Sequence, residues 1–591
     1  MPKVTVRTYD PRTYNALSSS GLPPVLARIY AARGIERPEE LETELTQLIP
    51  FDQMHNITRM AAHLADAIAA NQRLLIVADY DSDGATACAV GLRILRKLGA
   101  IVDYLVPNRF EFGYGLTPEI VQLAHAIKQP NVLITVDNGI ASVDGVAAAN
   151  RLGMQVLVTD HHLPGEFLPE ATAIINPNQP GCSFPSKNIA GVGVIFYLML
   201  ALRAELRQRD AFAAGLQEPN LAHYLDLVAL GTVADVVRLD SNNRILVQQG
   251  LQRIRKGRCC AGIQALLQVA RRDPQQISTY DLGFMLGPRL NAAGRLDDMS
   301  LGIECLITDD ADYAAQCAKQ LDELNRQRRE IESTMQESAL LQLESKLPVQ
   351  QTQIDQASSI CLYDTDWHQG VIGILASRIK DKYHRPVIIF AAGNDHELKG
   401  SGRSIPGFHL RDALDWVAKQ YPGLIVKFGG HAAAAGLTIA AQQFETFCTA
   451  FERVAQAWLT PADLTRVIET DGDLDTPDIN LQLAELLERQ VWGQGFPQPT
   501  FNGRFLVESQ RVVGEKHLKL KLRKLQSMSS SLPERSNIAY DGILFFYSDP
   551  LPDHIDAVYR LQVNEYNGKT TLQFLLEHWS QADLALTDHA H

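Results

Sequence analysis

The sequence lacks paired cysteines: Cys88, Cys182, Cys259, Cys260, Cys305, Cys317, Cys361 and Cys448 are scattered with no C-x-x-C spacing. This excludes a zinc ribbon or a disulfide scaffold and predicts reduced, mostly core thiols. Long apolar runs are missing too, none reaching the roughly 18 residues of a membrane-spanning helix. The opening MPKVTVRTYDPRTYNAL has no basic segment leading into an apolar one. Neither a signal peptide nor a membrane span is expected, and the cytoplasm is the expected compartment. Nor is there a surplus of positive charge: 55 Lys and Arg against 68 Asp and Glu give a net charge of −13. Such a chain is unsuited to coating nucleic acid indiscriminately, although a local basic track is compatible with it.

What is present is ample apolar material, 46% of 591 residues, enough for three or four domains at about 150 residues each. Residues 1–70 read as a helical lead-in, with PPVLARIYAARG and PEELETELTQL apolar at three and four spacing. From residue 73 short apolar runs (RLLIVAD, AIVDYLVPN, NVLITVD, QVLVTD, TAIINP) alternate with helical stretches. That rhythm predicts an α/β domain over 71–310, a parallel sheet with helices on both faces. Residues 311–345 read as one long connecting helix whose stripe of Cys317, Leu321, Leu324, Ile331 and Met335 is ordinary packing. A second α/β domain is expected over 346–460, and short alternating strands predict a small β-barrel over 461–591.

In parallel sheets ligands bind beyond the carboxyl ends of the strands. Those ends carry Asp79, Asp81 and Asp83; Asn108 and Arg109; Asp137 and Asn138; and Asp160, His161 and His162. The run DYDSDG opens like a calcium loop, but the twelfth position, which requires a bidentate Glu, is Val90. One Asp could cap the following helix; three in five residues exceed that need and repel one another unless cations compensate. Asp235, inside LVALGTVADVVRL, is costly to bury unless paired, capping or metal-bound. Oxygen and imidazole donors without thiolate suit Mn²⁺ or Mg²⁺, two ions being plausible, and predict phosphoester hydrolysis.

DYDSDG, VDNG, DHH and GTVADVV, in this order, resemble the DHH phosphoesterase family, named for the run here formed by Asp160, His161 and His162. GSGRSIPGFHL and GGHAAAAG are similar to segments of the DHH-associated C-terminal domain. With NRFEFGYGLT, GPRLNAAGRL and the terminal barrel, the resemblance covers nearly the whole chain. It narrows to members that degrade single-stranded DNA from the 5′ end to 5′ mononucleotides in recombination and repair. The implied layout is a parallel-sheet DHH catalytic domain, a connecting helix, a DHH-associated α/β domain and an OB-like barrel.

By that resemblance Asp81, Asp83, Asp137, His161 and Asp235 would ligate two ions, with Asp137 bridging. Asp79 and His162 would complete the site as ligands or by orienting the others, His162 also being a candidate for proton transfer or phosphate contact. Ser82 stands where the family usually has Ala. Arg109, Arg403 and Ser401 or Ser404 are candidates for the 5′ phosphate, and Arg289, Asn291 and Arg295 for guiding the strand. Gly429, Gly430 and His431 would bring backbone amides near a phosphate, and Tyr114 could stack on a base. Lys519, Lys521 and Arg523 alternate with leucines, giving one basic face on a barrel strand; solvated lysines on an ordinary barrel are the plainer reading. The implied partners are single-stranded DNA, a single-strand-binding protein and a helicase, for a protein expected to be monomeric. Two other functions stay open: a phosphodiesterase for short oligonucleotides or cyclic dinucleotides, which the barrel opposes, and a noncatalytic single-strand-binding scaffold, which the intact ligand set opposes.

Overall fold

The computed structural model describes residues 2–108, 115–345, 357–394, 396–514, 516–525, 538–566 and 568–582. The chain opens with strand β1 (Lys3–Val6) and helices α1 (Pro11–Ser19), α2 (Pro24–Ala31) and α3 (Ile57–Ala69). The first α/β domain follows as β2 (Arg73–Ala78), α4 (Ser82–Lys97), β3 (Ile101–Leu105), α5 (Pro118–Lys128), β4 (Val132–Val136), α6 (Val143–Arg151), β5 (Gln155–Thr159) and β6 (Ala173–Ile175). These five strands pair in the order β3-β2-β4-β5-β6, all parallel. Both faces are covered: β2 is apolar at every buried position and β4 at all but Thr135, instead of at alternate ones. Leu75, Val77, Leu133, Val156 and Val158 meet α5 and α6. On the other side Ile76 packs against Gly91 of α4, where a Cβ would lie 3.0 Å from its Cδ1.

β2 has β3 on one side and β4 on the other. The chain therefore winds both ways from β2, and a crevice opens beyond the carboxyl ends of β2 and β4. Helices α7 (Gly191–Gln208), α8 (Leu225–Ala234), α9 (Ser241–Arg255), α10 (Ala261–Val269), α11 (Gly287–Leu296), α12 (Ser300–Ile307) and α13 (Ala311–Ser345) follow. The chain then continues through β7 (Ile360–Asp364), α14 (Ile372–Tyr383), β8 (Val387–Ala392), β9 (Glu397–Arg403), α15 (Leu410–Gln420), β10 (Lys427–Gly430), β11 (Ala434–Ala440) and α16 (Phe444–Trp458). These strands form a second sheet, ordered β10-β11-β9-β8-β7. Phe390, Phe447 and Phe451 fill the core on one face, while Leu362, Leu375 and Ile389 pack with Met335 and Ala339 of α13 on the other.

After β12 (Val467–Thr470) and α17 (Leu481–Glu488), strands β13 (Phe501–Val513), β14 (His517–Lys524), β15 (Ala539–Phe545), β16 (His554–Tyr566) and β17 (Lys569–Gln581) close a barrel. Phe501, Phe505, Tyr559 and Phe574 are buried in it, Tyr559 stacked on Phe574 at 4.5 Å. Two compact units emerge, one comprising Ala292–Asp298 and Gln320–Ile468 with the first few residues, the other Thr5–Asn291, Met299–Lys319 and Glu469–His591. The fold class expected from the sequence is therefore observed: parallel α/β domain, long helix, second α/β domain and barrel.

The lead-in is bound to the barrel side of its own unit. Arg33 of the α2–α3 connection donates to both oxygens of Asp471, at 2.6 and 3.0 Å. Each side chain of that pair is 1% exposed. Beside it Tyr30, Trp492 and Phe496 stack on one another, with the Arg244 guanidinium 4.4 Å from the Phe496 ring centre.

Candidate metal centre

Asp79 leaves the end of β2 and Asp81 begins α4. Asp81 Oδ1 accepts hydrogen bonds from the backbone N–H of Asp83 and Gly84, at 2.9 and 3.0 Å. The capping reading of the acidic run is thus realised by one oxygen of one residue. Gly84 has no alternative, since a Cβ there would lie 2.4 Å from the Asp79 carbonyl oxygen. Ser82, the departure from the usual Ala, is buried with its Oγ 3.0 Å from Gly287 O and 2.9 Å from Asn291 Oδ1. Asn291 also accepts from the Ser82 backbone N–H at 2.8 Å, so GPRLNAAGRL bears directly on the acidic run.

Asp83 is buried and accepts from the first amides of α7, Gly191 N at 2.6 Å and Val192 N at 2.9 Å. Asp137 follows β4 at φ 63°, a left-handed conformation that Asp tolerates better than most residues. At Gly191 a Cβ would come within 2.7 Å of the Asp137 side chain, so the start of α7 is fitted to two carboxylates at once. Asp235 is the C-cap of α8.

Asp160 ends β5 and is an organiser. Its Oδ1 accepts from the backbone N–H of His161 at 2.7 Å and of His162 at 3.1 Å, and lies 2.8 Å from His162 Nδ1. Its Oδ2 accepts from Ile140 N at 2.8 Å. Burial pushes this carboxyl up, but the His162 hydrogen bond and the two imidazoles outweigh it and leave it below the ordinary range. His162, correspondingly, overcomes its own burial through Asp160 and is pushed up to about 9. His161 is driven the other way, by burial and by His162 beside it, which favours the neutral imidazole that a metal requires.

His161 Nε2 lies 3.1 Å from Asp137 Oδ1, 3.5 Å from Asp235 Oδ2 and 3.9 Å from Asp83 Oδ2. It is buried with no hydrogen-bond partner. Asp83, Asp235 and His161 offer ligand atoms within 4.8 Å of one another, as do Asp79, Asp81 and Asp137, and Asp137 with His161 and His162. Burial, then the Asp235 charge, pushes Asp83 up to about 7. Burial, then Asp81, does the same to Asp235. Asp137 stands well above the ordinary range through burial and four neighbouring carboxylates. Five crowded carboxylates around a buried, unbonded imidazole nitrogen fit divalent cations, which supply the missing counter-charge.

Arg109 and Tyr114 lie outside the described residues. Arg289 is 7% exposed and donates to Met285 O. In the other unit, Arg295 donates to Gly370 O at 3.4 Å, and Arg403 donates to Ser401 Oγ at 3.3 Å and Gly402 O at 2.8 Å. Ser404 is buried with its Oγ donating to Phe408 O at 2.6 Å. Gly429 and Gly430 pair with Gly436 and Ala435 of β11, and His431 N donates to Ala434 O. On β14, Leu518, Leu520 and Leu522 are buried, while Lys519, Lys521 and Arg523 take the alternate positions. Lys521 pairs with Asp541 at 3.1 Å and Arg523 with Glu508, so acids within the barrel neutralise part of that basic face.

The sequence reading left out several residues that hold the centre. Asn176 and Asn178 donate to the carbonyls of His162 and His161 at 2.9 and 2.7 Å. They follow the fifth apolar run in INPN, so the strand-end rule could have found them. Asp160, by contrast, is marked in the sequence by its strand end and as the first residue of the DHH run. No sequence signal marked Tyr280 and Phe284, an exposed stacked pair with ring centres 4.9 Å apart. Their segment packs on α8 just before Asp235, through Gly283 against Val233 and Gly287 against Ala234.

Residues 73–232 match the DHH family N-terminal domain, 356–457 the DHHA1 domain and 470–578 the RecJ OB domain. The single-stranded-DNA-specific exonuclease RecJ of Dickeya dadantii is 51% identical over 560 residues, 94% of this chain and 96% of that one. The Escherichia coli protein of the same name is 48% identical, again over 94% and 96%. Among solved structures, RecJ from Thermus thermophilus in complex with Mn²⁺ superposes with a TM-score of 0.80 at 28% identity, covering 98% of this chain and 80% of that one. Its Mg²⁺ complex gives 0.75 at 27% identity, covering 98% and 79%. The chain belongs to the RecJ family of single-stranded-DNA-specific exonucleases.

Proposed function

We propose that this protein is a metal-dependent exonuclease that degrades single-stranded DNA 5′→3′ to 5′ mononucleotides and acts in recombination and repair. The observation that carries the reading is the convergence of Asp83, Asp137 and Asp235 on His161, with Asp79 and Asp81 grouped on Asp137, in a chain that belongs to this exonuclease family. Asp79 and Asp81 would hold one Mn²⁺ or Mg²⁺ ion, Asp83, His161 and Asp235 a second, with Asp137 shared. When bound, the two cations supply an activated water and counter-charge for the phosphorus centre.

The protein's own groups do the rest. Asp160 holds the backbone of both histidines and the His162 imidazole; His161 presents a neutral nitrogen, and His162, held cationic, can contact a phosphate oxygen or give a proton to the leaving 3′ oxygen. Asn176 and Asn178 pin the backbone that carries them. Tyr280 and Phe284 offer bases a stacking platform beside Asp235. Arg109 and Arg403 are the candidates for the 5′ phosphate, and Lys519 for the strand on the barrel. The expected setting is the cytoplasm, as a monomer supplied with single strands by a helicase and a single-strand-binding protein; no described helix is long and apolar enough to cross a membrane.

Single-stranded oligonucleotides of several lengths, labelled at the 5′ or the 3′ end, test the reading in Mn²⁺, Mg²⁺ or chelator. Immediate release of labelled mononucleotide from the 5′ label alone, abolished by chelator, is expected. Cleavage confined to dinucleotides would favour the small-substrate phosphodiesterase, and metal-independent binding without product would sink the nuclease reading.

A further inference from the structure

The helices that carry the carboxylate cluster lead to a second polar concavity at their other ends. α4 starts at the cluster and ends at Lys97; α8 runs back from Leu225 to the Asp235 cap. Their antiparallel pairing is fixed at both ends. A Cβ on Gly231 would lie 2.1 Å from Thr86 Oγ1, and Lys97 Nζ sits 5.8 Å from the Tyr224 ring centre. About 11 residues separate Thr86 from Lys97, or about 16 Å of helix, so this concavity is distinct from the metal centre. Every residue lining it belongs to one compact unit.

It is a cavity of about 240 Å³ whose wall carries Arg93, Lys97, Arg253 and Arg258, a concentration of cations in a chain of net charge −13. The N-termini of α8 and α10 also open onto it through Leu227 and Ala261, adding the positive ends of two helices. Two acids share the wall. Asp309 is taken up by Arg93 at 2.5 Å. Asp226 is 1% exposed; its Oδ2 accepts from Cys260 N at 2.7 Å, while its Oδ1 is buried with no hydrogen-bond partner. Arg253 Nε is likewise buried and unbonded. Asp226 and Arg253 both line the cavity, and the cations on its wall offer donors to a ligand that accepts.

A metal does not meet that description. Lys97, Arg253 and Arg258 repel it, and burial pushes the Cys259 thiol up to about 11 and the Cys260 thiol well above its ordinary range, so neither offers a thiolate. An anion does. Burial raises Asp226 as well, which weakens the one charge that would oppose an anion. The volume is below the roughly 300–1,000 Å³ of pockets for drug-sized ligands, which suits a phosphate with at most one sugar. We propose that this cavity binds inorganic phosphate or a small phosphate monoester, its charge held by Lys97, Arg253 and Arg258.

Lys97 and Arg258 are exposed and can be changed with little risk to folding. Calorimetric titration of the full-length protein in Mg²⁺ with inorganic phosphate, and separately with thymidine 5′-monophosphate, would compare wild type with the Lys97→Glu, Arg258→Glu double variant. Binding at the metal centre is common to both, so their difference isolates the cavity. The proposal expects a saturable component at least tenfold weaker in the variant, with ligand-slowed amide exchange at 223–227 and 258–261 in wild type only. Tighter binding of the nucleotide identifies a nucleoside monophosphate as the ligand, and equal binding identifies free phosphate. Identical isotherms and exchange for the two proteins, or a difference seen only with long oligothymidylate, would overturn it.

Discussion

Asp79 and Asp83, four residues apart, hold different positions in the cluster, and their substitution should separate the effects of charge and of scaffolding. Asp83 fastens the start of α7 through Gly191 N and Val192 N, so Asp83→Ala leaves two buried amides unpaired at a cost of about 1–3 kcal/mol each. Asp79 groups with Asp81 and Asp137, and its removal relieves repulsion. Asp79→Ala is therefore expected to abolish activity while leaving the melting temperature of the metal-free protein unchanged or raised; Asp83→Ala should lose both. Equal destabilisation by the two would contradict this division. Gly191→Ala is a separate test, because its methyl would press on Asp137 at 2.7 Å. A displacement of about 1 Å there should lower kcat by about 10²-fold, measured on a long single strand, with the far-ultraviolet spectrum unchanged.

At the scale of elements, the strands and most of the carboxylate–histidine cluster were legible because a buried parallel strand writes itself as an uninterrupted apolar run, and its end is where polar site residues gather. Asp79, Asp81, Asp137 and His161 were found by that rule alone. The supports were not, for a physical reason: Gly191 and Asn291 meet the cluster through contacts of 108 and 209 residues' separation, and no local periodicity encodes such a distance. The lead-in was legible as helix but not in what it does. Arg33 and Asp471 form a buried pair linking α2 and its connection to the β12–β13 segment. Removing Arg33 leaves the buried Asp471 charge with only the longer Arg7 ion pair at 3.5 Å, so Arg33→Met should cost up to about 3–5 kcal/mol. Denaturant melts followed by tryptophan fluorescence, which reports Trp492 beside this pair, would measure it. A change below about 1 kcal/mol would mean the pair is solvated.

For the whole molecule, five carboxylates of one unit converge while Lys521 and Arg523 on the barrel are partly neutralised by Asp541 and Glu508. Self-repulsion at that cluster opposes folding of the unit that contains it. Cations that bind the folded cluster should therefore stabilise this unit, by about 2.7 kcal/mol per ion at a hundredfold excess over Kd. The other unit, Gln320–Ile468 with Ala292–Asp298, holds none of these ligands and should gain no such stabilisation. Calorimetric scans in chelator, Mg²⁺ and Mn²⁺ are expected to show one transition that moves upward with metal concentration and one that does not. The Asp79→Ala and Asp235→Ala variants should each flatten the metal dependence of the moving transition. A uniform shift of both transitions, persisting in those variants, would mean that the cation acts through general screening of the −13 net charge and not through the cluster.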